Sequence, residues 1–139
     1  MRYLARREYS RHELHGKLLA YVQDGDDLEA LLDDLEQRNW LSDTRAAAQM
    51  INQRQQRFGA QRIVHELRQK GIAQELIDAA LPALKDNELA AAREVWQRKF
   101  AHPPQDAKEK ARQVRFLQTR GFPLGVIFKM LRMDDDSAD

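Results

Sequence analysis

Ile63-Val64-His65-Glu66-Leu67-Arg68-Gln69-Lys70-Gly71-Ile72 decides the fold, because the chain states it again as Gln113-Val114-Arg115-Phe116-Leu117-Gln118-Thr119-Arg120-Gly121-Phe122. A more diverged copy, His12-Glu13-Leu14-His15-Gly16-Lys17-Leu18, keeps the His-Glu-Leu-x-x-Lys of the first. In each copy a leucine is followed three residues later by a lysine or arginine, and in two of them a glycine and a large apolar residue come next. A short helix ends in this way: the cation complements the carboxyl end of the dipole, and glycine takes the left-handed position beyond it. A second apolar stripe at helical spacing follows each copy, so the repeated unit is a helical hairpin and the chain a short tandem array.

Working outward, Ser10-Arg11-His12-Glu13 matches a capping box that starts the first copied helix, with Leu14, Leu18 and Tyr21 on one face. Asp24-Gly25-Asp26-Asp27 reads as a turn, and Leu28, Leu31, Leu32 and Leu35 then form a full amphipathic stripe. Ser42 or Asp43 is expected to cap a third helix carrying Ala47, Met50, Ile51, Arg54 and Phe58, which Gly59 ends. In the second unit Ile63, Val64 and Leu67 face inward, followed by Leu76, Ile77, Ala80 and Leu81. Pro82 is expected to end that helix by Ala80 or Leu81, because an interior proline removes a hydrogen bond and clashes with the preceding turn. Asp86 would cap a new helix bearing Leu89, Ala92, Val95, Trp96 and Phe100. After the loop Ala101-His102-Pro103-Pro104-Gln105, Asp106 opens the third unit, with Ala107, Ala111, Val114 and Leu117 as its inner stripe and Val126, Ile127, Met130 and Leu131 on its second helix. No strand is indicated. The expected fold is all-α: three tandem three-helix-type repeats, eight or nine helices in all, forming an elongated, curved helical array. Its parts are the end of a leading helix over 1–9, repeats over 10–57, 58–101 and a truncated 106–133, and a disordered acidic tail over 134–139.

The composition, 42% apolar and 32% charged, is that of a soluble, folded chain. There is no cysteine, which excludes a disulfide scaffold, a thiolate metal site and a cysteine nucleophile. No apolar run approaches the roughly 20 residues needed to span a bilayer, and the first residues lack a signal-peptide core. These features suit a reducing cytoplasm and no membrane association. The net charge of +1 hides an alternation: five bases against two acids over residues 1–20, eight acids against two bases over 21–45, then five bases against Glu66 over 46–72. The copied helices are therefore basic and their partners acidic, which predicts a basic stripe along one side of the array.

Enzyme chemistry is poorly provided for. Ser10 and Ser42 are explained as helix caps and Ser137 lies in the tail, while His12, His15, His65 and His102 lack carboxylates at metal-ligand spacing. The acids of residues 24–27 lack the twelfth-position ligand of an EF-hand, and no glycine-rich phosphate loop is present. The chain is read as a non-enzyme without a cofactor. Two classes remain: a protein-binding repeat array, or a helical-repeat nucleic-acid-binding protein acting on DNA directly. A pI near 8.1 is modest for a dedicated DNA reader. The cations that would carry either contact are Arg6, Arg7, Arg11, Lys17, Arg62, Arg68, Lys70, Arg112, Arg115 and Arg120.

Leu4-Ala5-Arg6-Arg7-Glu8-Tyr9-Ser10-Arg11-His12-Glu13-Leu14 with Lys17-Leu18, then Trp40-Leu41-Ser42-Asp43-Thr44-Arg45-Ala46-Ala47, Phe58-Gly59-Ala60-Gln61-Arg62-Ile63, Glu66-Leu67-Arg68-Gln69-Lys70-Gly71-Ile72 and Phe116-Leu117-Gln118-Thr119-Arg120-Gly121-Phe122 resemble the RecX regulators of the bacterial RecA recombinase. The likeness runs through nearly the whole chain. It implies three tandem three-helix units and, for function, binding in the helical groove of RecA filaments on DNA so as to limit filament growth, ATP hydrolysis and strand exchange. The implied partners are the RecA filament and, through it, single-stranded DNA. The chain is expected to act as a monomer. The family offers no catalytic motif, so the ten cations are carried forward as the candidate surface.

Overall fold

The computed structural model describes the backbone of residues 7–138 and the side chains of residues 7–133. Over those residues the chain forms seven α-helices and no strand. They are α1 Arg11–Leu18, α2 Leu28–Gln37, α3 Asp43–Arg54, α4 Ala60–Gln69, α5 Gln74–Lys99, α6 Ala107–Thr119 and α7 Leu124–Ala138, with a 3-10 turn over Leu19–Tyr21. Residues 1–6 of the expected leading helix lie outside the described residues, and residues 7–10 are not helical.

Three small cores follow one another along the chain. Tyr9, Leu14, Leu32, Leu35 and Leu41 form the first. Ala47, Met50, Ile63, Leu67, Ile72, Ile77 and Leu84 belong to the second, and the third gathers Ala92, Val95, Trp96, Leu117, Phe122, Ile127 and Met130. The chain exposes 9150 Å², against roughly 7,500 Å² for a compact monomer of its mass. Each small core is built from a few helices adjacent along the chain, as expected where a unit buries its stripe mainly against its neighbours.

The copied helices end as their sequences indicate. Gly71 and Gly121 have φ of 74° and 90°, and the Ile72 and Phe122 amides beyond them return to the Leu67 and Leu117 carbonyls. Leu14, Leu67 and Leu117 are 0%, 1% and 0% exposed.

Five expectations are corrected. Pro82 does not break its helix: α5 runs 26 residues through it, and Asp86 starts nothing. Ile77 and Leu84 anchor one part of α5 in the second core, while Ala91, Ala92, Val95 and Trp96 anchor the rest in the third. Burial on both sides of an exposed proline outweighs its cost of about 3 kcal/mol. Secondly, α3 ends at Arg54, and Gly59 is the N-cap of α4. Thirdly, Leu31 is 43% exposed, so α2 buries the narrower pair Leu32 and Leu35. Fourthly, Ala107 and Ala111 of α6 are exposed, and Gln113 and Leu117 are buried instead; the first turn of α6 borders an open groove rather than the core. Finally, α7 carries its backbone through the acidic segment to Ala138, because extending a helix already nucleated on a core adds no new nucleation cost. Asp139 lies outside the described residues.

Candidate partner-binding surface

Two junctions join the copied helices end to end, and they share one construction. At the first, the Ser10 hydroxyl donates to the Lys70 carbonyl at 2.6 Å. At the second, the Gly59 amide donates to the Arg120 carbonyl at 2.8 Å. The N-terminus of one copied helix thus sits on the C-terminus of the next copy. Carbonyls that α4 and α6 leave unpaired meet donors, and opposite dipole ends face each other.

A carboxylate from a later helix completes each junction. Asp43 accepts from the Arg11 amide at 2.7 Å, and Glu88 accepts from the Ala60 amide at 3.0 Å. Arg11 and Ala60 are the first residues of α1 and α4. The sequence reading offered Ser42 or Asp43 as the α3 cap; Ser42 takes that part, accepting from the Arg45 amide, which frees Asp43 to cap α1. Glu88 supplies what Gly59 cannot. A side chain at Gly59 would overlap the Gly121 carbonyl, so the cap residue has none and the acid comes from α5. Burial pushes the Glu88 carboxyl above its ordinary value, against the Ala60 amide and Lys85, which favour the charged form.

The candidate cations fall into two groups around these junctions. Glu13 draws in Arg7 at 2.7 Å and Lys70 at 2.9 Å. Burial opposes its ionisation, but the Ser10 amide, Lys70 and Arg7 together outweigh that and hold its carboxyl below the ordinary value. Arg11 pairs with Glu29 and Asp33, each at 2.7 Å, and with Glu36 on α2. The hydrogen bonds it donates to Glu29, then to Asp33 and Glu36, raise its pKa and fix its charge. Arg11 thereby clamps α1, whose one buried helical residue is Leu14, onto α2. Lys17 lies 5.6 Å from the Tyr9 ring.

The second group surrounds an aromatic seam. Arg62 stacks 4.0 Å over Phe58 and donates to the Thr119 carbonyl at 3.1 Å, and Arg120 lies 5.1 Å over Phe116. Arg112 is 5.7 Å from the Phe100 ring, itself edge-on to Phe116 at 5.5 Å. Arg68 and Arg115 are exposed on α4 and α6, with Arg68 reaching Gln74 at 3.4 Å. Arg6 lies outside the described residues.

Sequence reasoning passed over Arg57, Arg98 and Lys99, which join Arg120, Val95 and Phe116 around a groove of about 350 Å³. It attended to the copied helices, and these cations come from a connection and from the end of α5. The usable signal was Arg98-Lys99 in a last helical turn. Gln113 was missed too: it replaces Ile63 of the second copy, and the buried indole of Trp96 donates to it at 2.8 Å. Among the described residues no His, Cys, Asp or Glu cluster could hold a metal, and no helix is long and apolar enough to cross a membrane.

The chain is similar to known proteins in sequence and fold. The second three-helix domain of RecX matches residues 42–81, and its third three-helix domain matches residues 86–131. Over its full 139 residues the chain is 46% identical to Regulatory protein RecX of Leptothrix cholodnii, covering 88% of that protein. The chain belongs to the RecX family. It is also 44% identical over its full length to the Herminiimonas arsenicoxydans RecX, covering 92% of it, and 46% identical over 96% of its length to that of Chromobacterium violaceum, covering 88%. These relatives are named as regulatory proteins. A crystal structure of RecX from Lactobacillus salivarius superposes with a TM-score of 0.78 at 18% identity, covering 96% of this chain and 90% of that one. A second RecX crystal structure gives 0.76 at 23%, covering 96% and 68%. At such identities the likeness establishes the all-α RecX repeat fold. The interval between the two matched RecX domains, 82–85, falls inside α5.

Proposed function

We propose that the chain binds the filament formed by RecA recombinase on DNA, as a cytoplasmic monomer without a cofactor, and limits filament growth, ATP hydrolysis and strand exchange. The observation that carries this reading is the repeated junction: Ser10 with Lys70 and Asp43, then Gly59 with Arg120 and Glu88. Two like junctions present like surfaces at successive places along one chain. A filament also presents like surfaces at successive places, so each contact raises the effective concentration of the next. Membership of a family of regulatory proteins supports the reading.

The exposed cations of the copied helices, Arg62, Arg68, Arg112 and Arg115, are the contacts this reading favours. Arg7, Arg11 and Lys70 already hold carboxylates within the chain. The test is co-sedimentation with recombinase filaments on single-stranded DNA, using wild type and an Arg68→Glu/Arg112→Glu/Arg115→Glu variant. The expected result is a folded variant that neither sediments with filaments nor inhibits strand exchange. Inhibition at the wild-type level would move the contact elsewhere, and failure of the wild type to sediment would reject the reading.

A further inference from the structure

The three cores are joined by two crossings of different build. From the second to the third the chain passes inside α5, a continuous helix of 26 residues with Ile77 and Leu84 in one core and Val95 and Trp96 in the next. Side chains reinforce that crossing: Arg120 lies 5.7 Å from the Phe58 ring and 5.1 Å from the Phe116 ring, and Arg62 of α4 donates to the Thr119 carbonyl of α6. From the first core to the second the chain passes through one extended residue. Leu41 belongs to the first core and its amide bonds back to the Leu35 carbonyl, α3 begins at Asp43, and Ser42 between them has φ of −153° and ψ of 118°.

The bonds that seat residues 8–41 on α3 and α4 are polar. Besides Ser10 with the Lys70 carbonyl and the Arg11 amide with Asp43, the Glu8 amide donates to the Gln49 side chain at 2.9 Å. Arg45 reaches the Glu8 carboxylate at 3.1 Å and the Asn39 side chain and carbonyl at 2.9 and 2.8 Å, and Lys70 pairs with Glu13 at 2.9 Å. Among the described residues the first and second cores have no side chain in common, and His12 lies against Gly71, which has no side chain to lock it. A cavity of about 80 Å³ in this joint is lined by Arg7, Glu8, Glu13, Gln49, Arg54 and Lys70, and it is polar and roomy enough for water. Parting the joint exchanges its hydrogen bonds for bonds to water, a trade of small net cost, and leaves each core within its own unit.

We propose that residues 8–41 form a hinged module that swings as a body about Ser42, while the second and third units move as one piece on α5. Hinges are commonly such element-terminal residues, which absorb a change of φ and ψ while the packed parts stay intact. The swing alters the spacing between the first unit and the second and keeps that between the second and the third. A partner is thus met by a fixed pair of units and then closed on by a movable one. The motion belongs to the free chain and does not rest on the reading as a filament regulator.

The chain has no cysteine, so spin labels go only where cysteines are placed. Ala30→Cys/Gln61→Cys spans the first crossing and Gln61→Cys/Gln118→Cys the second, all at exposed helical positions. Double electron–electron resonance on the full chain is expected to give two distances for the first pair and one for the second. Asp43→Ala/Lys70→Ala removes two partners of the joint and leaves Ser42 as the α3 cap. It should raise the ratio of minor to major distance in the first pair about tenfold, as loss of one or two hydrogen bonds does, and leave the second pair unchanged. Hydrogen exchange separates swinging from unfolding. The Glu8 and Arg11 amides, bonded across the joint, should exchange about tenfold or more faster than those of Arg38 and Trp40, which bond within the unit. A single distance in the first pair that the variant does not change overturns the proposal, as does a second pair that broadens with the first. So does exchange of Arg38 and Trp40 at the rate of Glu8 and Arg11, which would mean that the unit unfolds and does not swing.

Discussion

The Gly59 amide donates to the Arg120 carbonyl at 2.8 Å, across sixty-one residues of sequence, and this bond fixes the second unit on the third. The approach is so close that a Cβ at Gly59 would overlap the Gly121 carbonyl and lie 2.8 Å from the Phe122 amide nitrogen. Both obstacles are backbone, which yields less readily than the end of a flexible side chain. Gly59→Ala should therefore destabilise the chain by about 1 to 3 kcal/mol, as overpacking does. A urea midpoint equal to that of wild type would show that the junction does not hold the array together.

Leu67 is the central copy of the repeated leucine and is 1% exposed in the second core. Leu67→Ala removes a fully buried side chain from that core, and should cost about 2 to 5 kcal/mol. Chemical denaturation followed by far-ultraviolet circular dichroism measures this directly. An unshifted midpoint would mean that the repeated stripe is not what the units bury.

What the sequence made legible was local. The capping box of Ser10 and Glu13, the left-handed Gly71 and Gly121 and the leucine stripe depend on residues within one or two turns of each other, and all are present. The misreadings come from distance. Pro82 was judged by its own turn, whereas cores on both sides of it decide the outcome. Gln113 reads as surface until Trp96, seventeen residues earlier, is seen to donate to it. The candidate surface was legible only as a set of cations. Which of them have carboxylates to hold depends on pairs such as Arg11 with Asp33, set by how helices dock. The groove joining Arg57, Arg98 and Arg120 draws on three separate segments and has no signature in any one of them.

Two acids beside the junctions, Glu13 and Glu88, should respond to pH in opposite directions. Glu13 has a folded pKa below its ordinary value of 4.5, so its ionised form stabilises the fold above that value, and the contribution is lost as pH falls through the folded pKa. Glu88 has a folded pKa above 4.5, so its contribution is complete below 4.5 and is lost as pH rises through the folded value. Glutamine preserves the capping-box geometry at residue 13 and an acceptor for the Ala60 amide at residue 88. At neutral pH, Glu13→Gln should thus lower the denaturation midpoint and Glu88→Gln should raise it. The Glu88 difference should shrink as pH falls through its raised folded value toward 4.5, and the Glu13 difference as pH falls from 4.5 through its lowered folded value. Parallel shifts in the two variants would show that charge at the junctions does not set their stability.

Pro82 occupies an exposed position in the middle of α5, between the part that packs in the second core and the part that packs in the third. Lacking an amide hydrogen, it leaves the Asp78 carbonyl without its helical donor, in an environment where water can substitute. Alanine would restore that bond and remove the ring's clash with the preceding turn, a change worth up to about 3 kcal/mol in a helix interior. Against this, proline restricts the unfolded chain, an advantage of about 0.4 to 1 kcal/mol that alanine gives up. Pro82→Ala should therefore stabilise the protein by about 1 to 2 kcal/mol on balance, with helix content nearly unchanged because α5 is already continuous. The check is a urea titration with the slope compared between the two proteins. A lower midpoint would show that the conformation Pro82 imposes on α5 is built into the fit between the second and third units.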